Sequence, residues 1–184
     1  MALGLGQLLA LRVAAAGDGT GRRNGMTLVK TLTFDELLAC GWSLDGVLAE
    51  AARVEFSQFG SGAYTAEQFA EWHAGPGGFC ALLFPANRVE PGLALGVEAC
   101  VERKGQNETA AHYVATAAII PTMTGQGLGL LLDERCEAFA VSHGYNLRIL
   151  RSWAPAAVYA KYGGRTGGSP HASFGYWRGH CGRS

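Results

Sequence analysis

One stretch limits the possible folds more than any other. Residues 111–121 (AHYVATAAIIP) read as a strand and run into the glycine loop PTMTGQGLG. A segment from about Gly127 to His143 follows, with Leu128, Leu131, Leu132, Cys136, Phe139 and Ala140 on one helical face. Glycines at a strand-to-helix turn let backbone amides approach an anion at the positive end of the helix dipole, so the stretch implies a phosphate site. A nucleoside-triphosphate loop needs GK[ST] at its end, whereas Gly129 is followed by Leu130. The dinucleotide fingerprint GxGxxG fails as well, because its last glycine would fall on Leu130 or on Leu132. What remains is a GxGxG loop.

Around this stretch the chain reads as alternating elements. Residues 26–34 alternate like a strand, and Thr33 with Asp35 and Glu36 supplies helix-starting chemistry for a short helix. Apolar positions Val47, Leu48, Ala51, Val54 and Phe59 predict a helix over Leu44 to Phe59, ended by Gly60 and Gly62, with a shorter helix at Thr65 to His73. After the turn at 75–78, residues 78–85, 93–103 and 111–121 predict three successive strands, a meander of antiparallel pairs. Gly144 suits the C-terminal end of the following helix. Residues 146–153 predict a strand, Pro155 opens a helix through Tyr162, and a glycine-rich turn leads to a last strand over His171 to Arg178. The fold class expected is α/β (α+β), a mixed, mostly antiparallel central sheet with helices on both faces.

Composition narrows the partners. The 184 residues suit one domain, 26–184, preceded by a segment 1–25 expected to be a poorly ordered extension. Basic and acidic residues number 15 each, and no stretch gathers the positive charge a phosphate backbone demands, so nucleic acid is not an expected partner. No apolar run reaches the roughly 18 to 20 residues of a membrane span, and the opening segment has its Arg22 and Arg23 on the wrong side for a secretory signal. Five scattered cysteines form no CxxC pair and no local metal-binding spacing. They are expected to be free thiols in a reducing compartment, the cytoplasm, with no metal.

The loop carries a resemblance. Ile119, Ile120, Pro121, Thr122, Met123, Thr124, Gly125, Gln126, Gly127, Leu128 and Gly129 resemble the V-x-P-x-x-(R/Q)-x-x-G-x-(G/A) signature of the GNAT superfamily of acyl-CoA-dependent N-acetyltransferases. A second element, SWAPAAVYAKYGG, echoes that family's N-x-x-A-x-x-(L/V)-Y-x-K-x-G-F pattern with Val158, Tyr159, Lys161 and Gly163 in register. Together with the preceding meander the resemblance covers about residues 26 to 178. The chain departs from the pattern at Thr124, which brings no charge to the loop, and at Ser152, Pro155 and Gly164.

The resemblance implies acetyl-CoA as cofactor. Its pyrophosphate would sit on the amides of Gln126, Gly127, Leu128 and Gly129, and its pantetheine arm along the strand edge at Ala118, Ile119 and Ile120. Thr124, Gly125 and Ser152 complete the expected cofactor set. It also implies an N-acetyltransferase acting on a primary amine of a small molecule, an amino acid or a peptide N-terminus. Tyr159 matches the family's tyrosine that protonates the departing thiolate, a plausible direction for a phenol of reference pKa about 10 and a thiolate of about 8.5. Glu98 and Glu102, with Cys100 between them on one strand face, and His112 on the next strand are base candidates, beside a proton path through water alone. The Ile120 amide is the candidate for polarising the thioester carbonyl. Acceptor recognition is expected from Glu55, Gln58, Tyr64, Trp72 and His73. A catalytically silent CoA-binding domain is the alternative, and an acyl-homoserine-lactone-type transferase has less support. Aromatic Phe174, Tyr176 and Trp177 in the tail make a homodimer a possible partner arrangement.

Overall fold

In the computed structural model, residues 28–104 and 110–145 are described in full, together with the backbone of strands at 148–152, 165–169 and 172–177. The expected extension 1–25, the helix Pro155 to Tyr162 and Tyr159 within it lie outside the described residues. The order is β1 (Val29–Thr33), α1 (Phe34–Ala39), α2 (Leu44–Phe59), α3 (Ala66–Ala74), β2 (Phe79–Pro85), β3 (Gly96–Lys104), β4 (Ala110–Ile119), α4 (Leu128–Ser142), β5 (Arg148–Ser152), β6 (Arg165–Ser169) and β7 (Ala172–Trp177). Short polar residues start the first three helices. Thr33 and Thr65 each close a reciprocal pair of hydrogen bonds with Glu36 and Gln68, and Ser43 accepts from the Gly46 amide.

One seven-stranded sheet runs in the order β1-β2-β3-β4-β5-β7-β6. Strands β2, β3 and β4 form the expected antiparallel meander and β1 adds to it antiparallel beside β2, while β5 lies parallel to β4 and needs α4 as its crossover. Helices cover both faces. Val47, Leu48, Ala51 and Val54 of α2 and Phe69 of α3 pack with Leu82, Phe84, Val97, Ala99 and Ala118 on one face. Leu128, Leu131, Leu132 and Cys136 of α4 pack with Phe79, Ala81, Leu83, Cys100 and Val114 on the other. Among the described residues no helix is long and apolar enough to cross a membrane.

Two elements differ from the sequence expectation. Residues 165–169, with two adjacent glycines, form the edge strand β6 rather than running as turn into the last strand. Strand β6 pairs with β7 alone, so backbone hydrogen bonds hold it without any demand on side-chain pattern. Strand β3 begins at Gly96 rather than Leu93, and Glu50 of α2 holds the Gly92 and Ala94 amides just before it. Its two oxygens accept from the Gly92 and Ala94 amides at 2.9 and 2.7 Å, and Arg53 grips the same carboxylate while donating to the Ala94 carbonyl.

Burial pushes the Glu50 carboxyl up, but the Arg53 guanidinium and the Ala94 and Gly92 amides outweigh it and hold it below the ordinary range. A depressed folded pKa contributes stability that is present above the unfolded carboxyl value and lost as pH falls through the folded one. Glu50→Ala is expected to cost about 2 to 3 kcal/mol in urea unfolding at neutral pH, since it strands two backbone donors and one cation. The difference from wild type should shrink as the pH is lowered through the acid range.

Candidate functional site

Strand β4 carries one residue more than its partner. Ala99 faces Thr116 and Cys100 faces Val114, so Ala115 has no partner on β3 and forms a bulge. Across that extra residue the side-chain alternation flips. His112 and Val114 point to the α4 face, whereas Thr116 and Ala118 point to the α2 face. Pairing to β5 runs only over His112, Tyr113 and Val114 and stops at the same place. Beyond it, among the described residues, residues 115–119 of β4 have a neighbour strand on the β3 side alone.

The amides divide by the same alternation. Ile120 donates to the Leu95 carbonyl at 2.9 Å, toward β3. The expected role of that amide in polarising a carbonyl is therefore corrected, because its hydrogen is committed to the ladder. Alternate residues of a strand turn their amides to opposite sides, which directs those of Ala117 and Ile119 to the open edge. These two, rather than Ile120, can meet an extended ligand arm.

Past Ile119 the chain makes a tight 3-10 turn at 121–123 and enters α4 through the glycine loop. Gly127 takes the N-cap position at φ 76°, ψ 5°, a left-handed conformation that costs a residue with a Cβ and that glycine adopts freely. No side chain caps this end and no acid stands in the first turn of α4, in contrast to α1, α2 and α3. Among the described residues, a Cβ placed on Gly125 or Gly129 would meet no atom within 4 Å, so none of them fills the space in front of the loop there. Backbone donors, the positive end of a 15-residue helix and room for a bulky anion thus coincide. Thr124 is exposed, its hydroxyl donating back to the Pro121 carbonyl at 2.9 Å, and the Gln126 side-chain nitrogen lies 3.8 Å from the Met123 sulfur. Ser152 occupies the end of β5, and Ala118, Ile119 and Ile120 the end of β4.

The base candidates fall on the α4 side. Glu98 is 1% exposed and His112 fully buried, with the Cys100 sulfur 3.6 Å from Glu98 and the Cys136 sulfur 3.8 Å from His112 Nδ1. Glu98, Cys100 and Glu102 do share a face, as their even spacing implies. Glu102 accepts from the Tyr145 hydroxyl at 2.7 Å, which together with burial pushes that phenol up to about 12.

The α2 face carries a carboxylate of a different kind. Glu55 is 1% exposed and accepts the Thr116 hydroxyl at 3.0 Å on both oxygens, beside the open edge of β4. Burial pushes the Glu55 carboxyl above the ordinary range, and the Thr116 hydroxyl and the Tyr64 amide offset only part of the effect. Of the expected acceptor residues, Tyr64 and Trp72 meet edge to face at 4.8 Å, and Tyr64 joins Glu55 through its backbone. His73 instead approaches Asp35 at 3.5 Å and packs on Phe34, and Gln58 is exposed. The family resemblance pointed to Glu55 only as an acceptor contact. The signal for more is its pairing with Thr116, which depends on the bulge.

No protein-family model and no curated protein sequence matches the chain. Solved structures do match it in fold. A GNAT family acetyltransferase from Brucella melitensis in complex with acetyl-CoA superposes with a TM-score of 0.56 at 16% identity, over 86% of this chain and 92% of that one. Glucosamine-6-phosphate N-acetyltransferase from Arabidopsis thaliana gives 0.56 at 15% identity over 77% and 93%, and an acetyltransferase of Trypanosoma brucei gives 0.54 at 17% over 77% and 95%. The fold of this chain is the GNAT fold.

Two outcomes follow. Gly129→Leu puts a good helix former into open space, so melting temperature should stay within a few degrees while CoA affinity falls at least about tenfold in calorimetry, if that space holds phosphate. For Glu55 the folded pKa is raised, so its contribution to stability is full below the unfolded carboxyl value and lost as pH rises through the folded one. Melting temperatures of Glu55→Gln relative to wild type should therefore move in favour of the variant as pH rises above the ordinary carboxyl range of about 4.

Proposed function

We propose that this chain, on its GNAT fold, is an N-acetyltransferase that moves the acetyl group of acetyl-CoA to a primary amine of a small molecule, an amino acid or a peptide N-terminus. The observation that carries the reading is the uncapped, acid-free N-terminus of α4, entered through Gly125 to Gly129 and continuous with the open edge of β4. The fit of a CoA diphosphate to that loop rests on the open space before Gly125 and Gly129. Bound acetyl-CoA supplies an activated thioester.

The rest is done by the chain. Amides of Gln126, Gly127, Leu128 and Gly129 hold the diphosphate, with Thr124 and Gly125 shaping the turn. The edge at Ala118, Ile119 and Ile120 lies beside the pantetheine arm, its free donors being those of Ala117 and Ile119. Ser152 at the facing end of β5 belongs to the same cleft. A donor fixed where negative charge develops on the carbonyl oxygen stabilises it without reorganisation, and Ala117 is placed for that role.

The attacking amine must lose a proton. Glu55 is the favoured acceptor because burial raises its affinity for a proton and because the Thr116 hydroxyl links it to the edge of β4. Thr116 takes the proton from the amine as it gives its own to the carboxylate. Glu98 and His112 are the lesser candidates, as both lie beneath α4 among the cysteines. Tyr159 donates to the departing thiolate, a role resting on its sequence register alone. Exposed Phe56, Phe59 and Tyr64 at the end of α2 offer apolar contact to an acceptor side chain. The cytoplasm fits the thiol content, and a homodimer through the tail aromatics remains part of the proposal.

Thiol release from acetyl-CoA with a panel of amines tests the reading. Wild type should turn over with at least one amine. Glu55→Gln and Thr116→Val should each lower kcat/KM by about 10² or more and weaken its acid limb, and Tyr159→Phe should lower kcat by a similar factor. CoA binding without turnover for any amine would favour the silent CoA-binding domain instead.

A further inference from the structure

The donors buried under α4 form a second site. Cys100 of β3, His112 of β4 and Cys136 of α4 are fully buried, and their ligand atoms all lie within 4.8 Å of one another. The two sulfurs are 2.6 Å apart, and the Glu98 carboxylate stands 3.6 Å from the Cys100 sulfur. Three separate elements thus bring two sulfurs and one imidazole to one point, with a carboxylate beside one of the sulfurs.

The tautomer of His112 is set by its other nitrogen. Nε2 lies 3.2 Å from the Gly77 carbonyl oxygen, which can only accept, so Nε2 carries the proton and Nδ1 keeps its lone pair on the side of the sulfurs. Gly77 is held there. It sits at φ +61°, and a Cβ on it would collide with the Tyr145 hydroxyl. Tyr145 in turn stacks on the imidazole at 5.0 Å. An imidazole whose second nitrogen donates to a backbone carbonyl is the usual arrangement of a metal ligand.

We propose that Cys100, His112 and Cys136, with Glu98 as fourth donor, bind a tetrahedral borderline-soft divalent cation of the zinc class in a closed structural site. Two thiolates and an imidazole select such an ion over the hard cations that oxygen ligands prefer. Binding forms two metal–sulfur bonds and releases two thiol protons to solvent. The ion clamps α4 onto β3 and β4, and so fixes the helix whose start carries the glycine loop. Tetrahedral bonds of about 2.3 Å put two sulfurs about 3.8 Å apart, so loading draws them away from each other. Oxidation to a disulfide, with a bond of about 2.05 Å, would draw them together, and the two outcomes are therefore separable.

Full-length protein purified without chelator from zinc-supplemented cells is analysed by elemental mass spectrometry and intact mass. About one zinc per chain is expected, kept through gel filtration, unchanged in Cys40→Ser and reduced at least about fivefold in Cys136→Ser and His112→Gln. Cobalt-loaded wild type should show thiolate-to-cobalt charge transfer and the visible bands of a tetrahedral ion, and a strong chelator should lower the wild-type melting temperature. These wild-type readouts decide the matter if the variants fail to fold. Zinc below about 0.1 per chain, metal retained in a folded Cys136→Ser variant, or a chain two mass units light with Cys100 joined to Cys136 would each overturn the proposal.

Discussion

A single unpaired residue, Ala115, organises both faces of the sheet. By inserting one position into β4 without a partner on β3, it leaves the even-numbered side chains before it, His112 and Val114, facing α4 and those after it, Thr116 and Ala118, facing α2. Were the ladder regular, Thr116 would lie beneath α4 beside His112, and Glu55 would face an alanine. The bulge also marks the last contact with β5, so strand separation and the change of face occur at one point. The open amides and the Glu55–Thr116 pair are consequences of the same insertion.

Helix α4 then serves two purposes. Its inner face closes the second half of the core, and its first turn presents uncapped amides to open space. The other described α-helices start with a Ser or Thr side chain that satisfies part of that demand, each contributing about 1 kcal/mol. Giving up a cap at α4 leaves the positive end of the helix available to an external anion.

Two carboxylates on α2 show how donors set chemistry. Glu50 and Glu55 are both buried, yet Glu50 is held below and Glu55 above the ordinary carboxyl range. Glu50 receives a guanidinium and two amides, so its charge is compensated and it acts as a brace for the chain before β3. Glu55 receives one shared hydroxyl and one amide, too little to offset its burial. A carboxyl whose affinity for protons is raised is the better proton carrier.

Local rules made much of this legible. The helix at Leu44 to Phe59 and the turn at Gly144 followed from periodicity and end chemistry, and the strand-loop-helix around Gly127 from the glycines. Long-range consequences were not legible. One alanine among five in β4 gives no sign that it is the bulge, the sulfurs of Cys100 and Cys136 meet only because α4 folds back over β3, and Gly167 and Gly168 read as turn because an edge ladder asks nothing of side chains. Titration of isotope-labelled protein with CoA, followed by backbone amide resonances, tests the phosphate site most directly. Large shifts at Gln126 to Gly129, and smaller ones at Ala117 and Ile119, are the expected result. Saturable binding that leaves the start of α4 unmoved, or no binding at all, would contradict it.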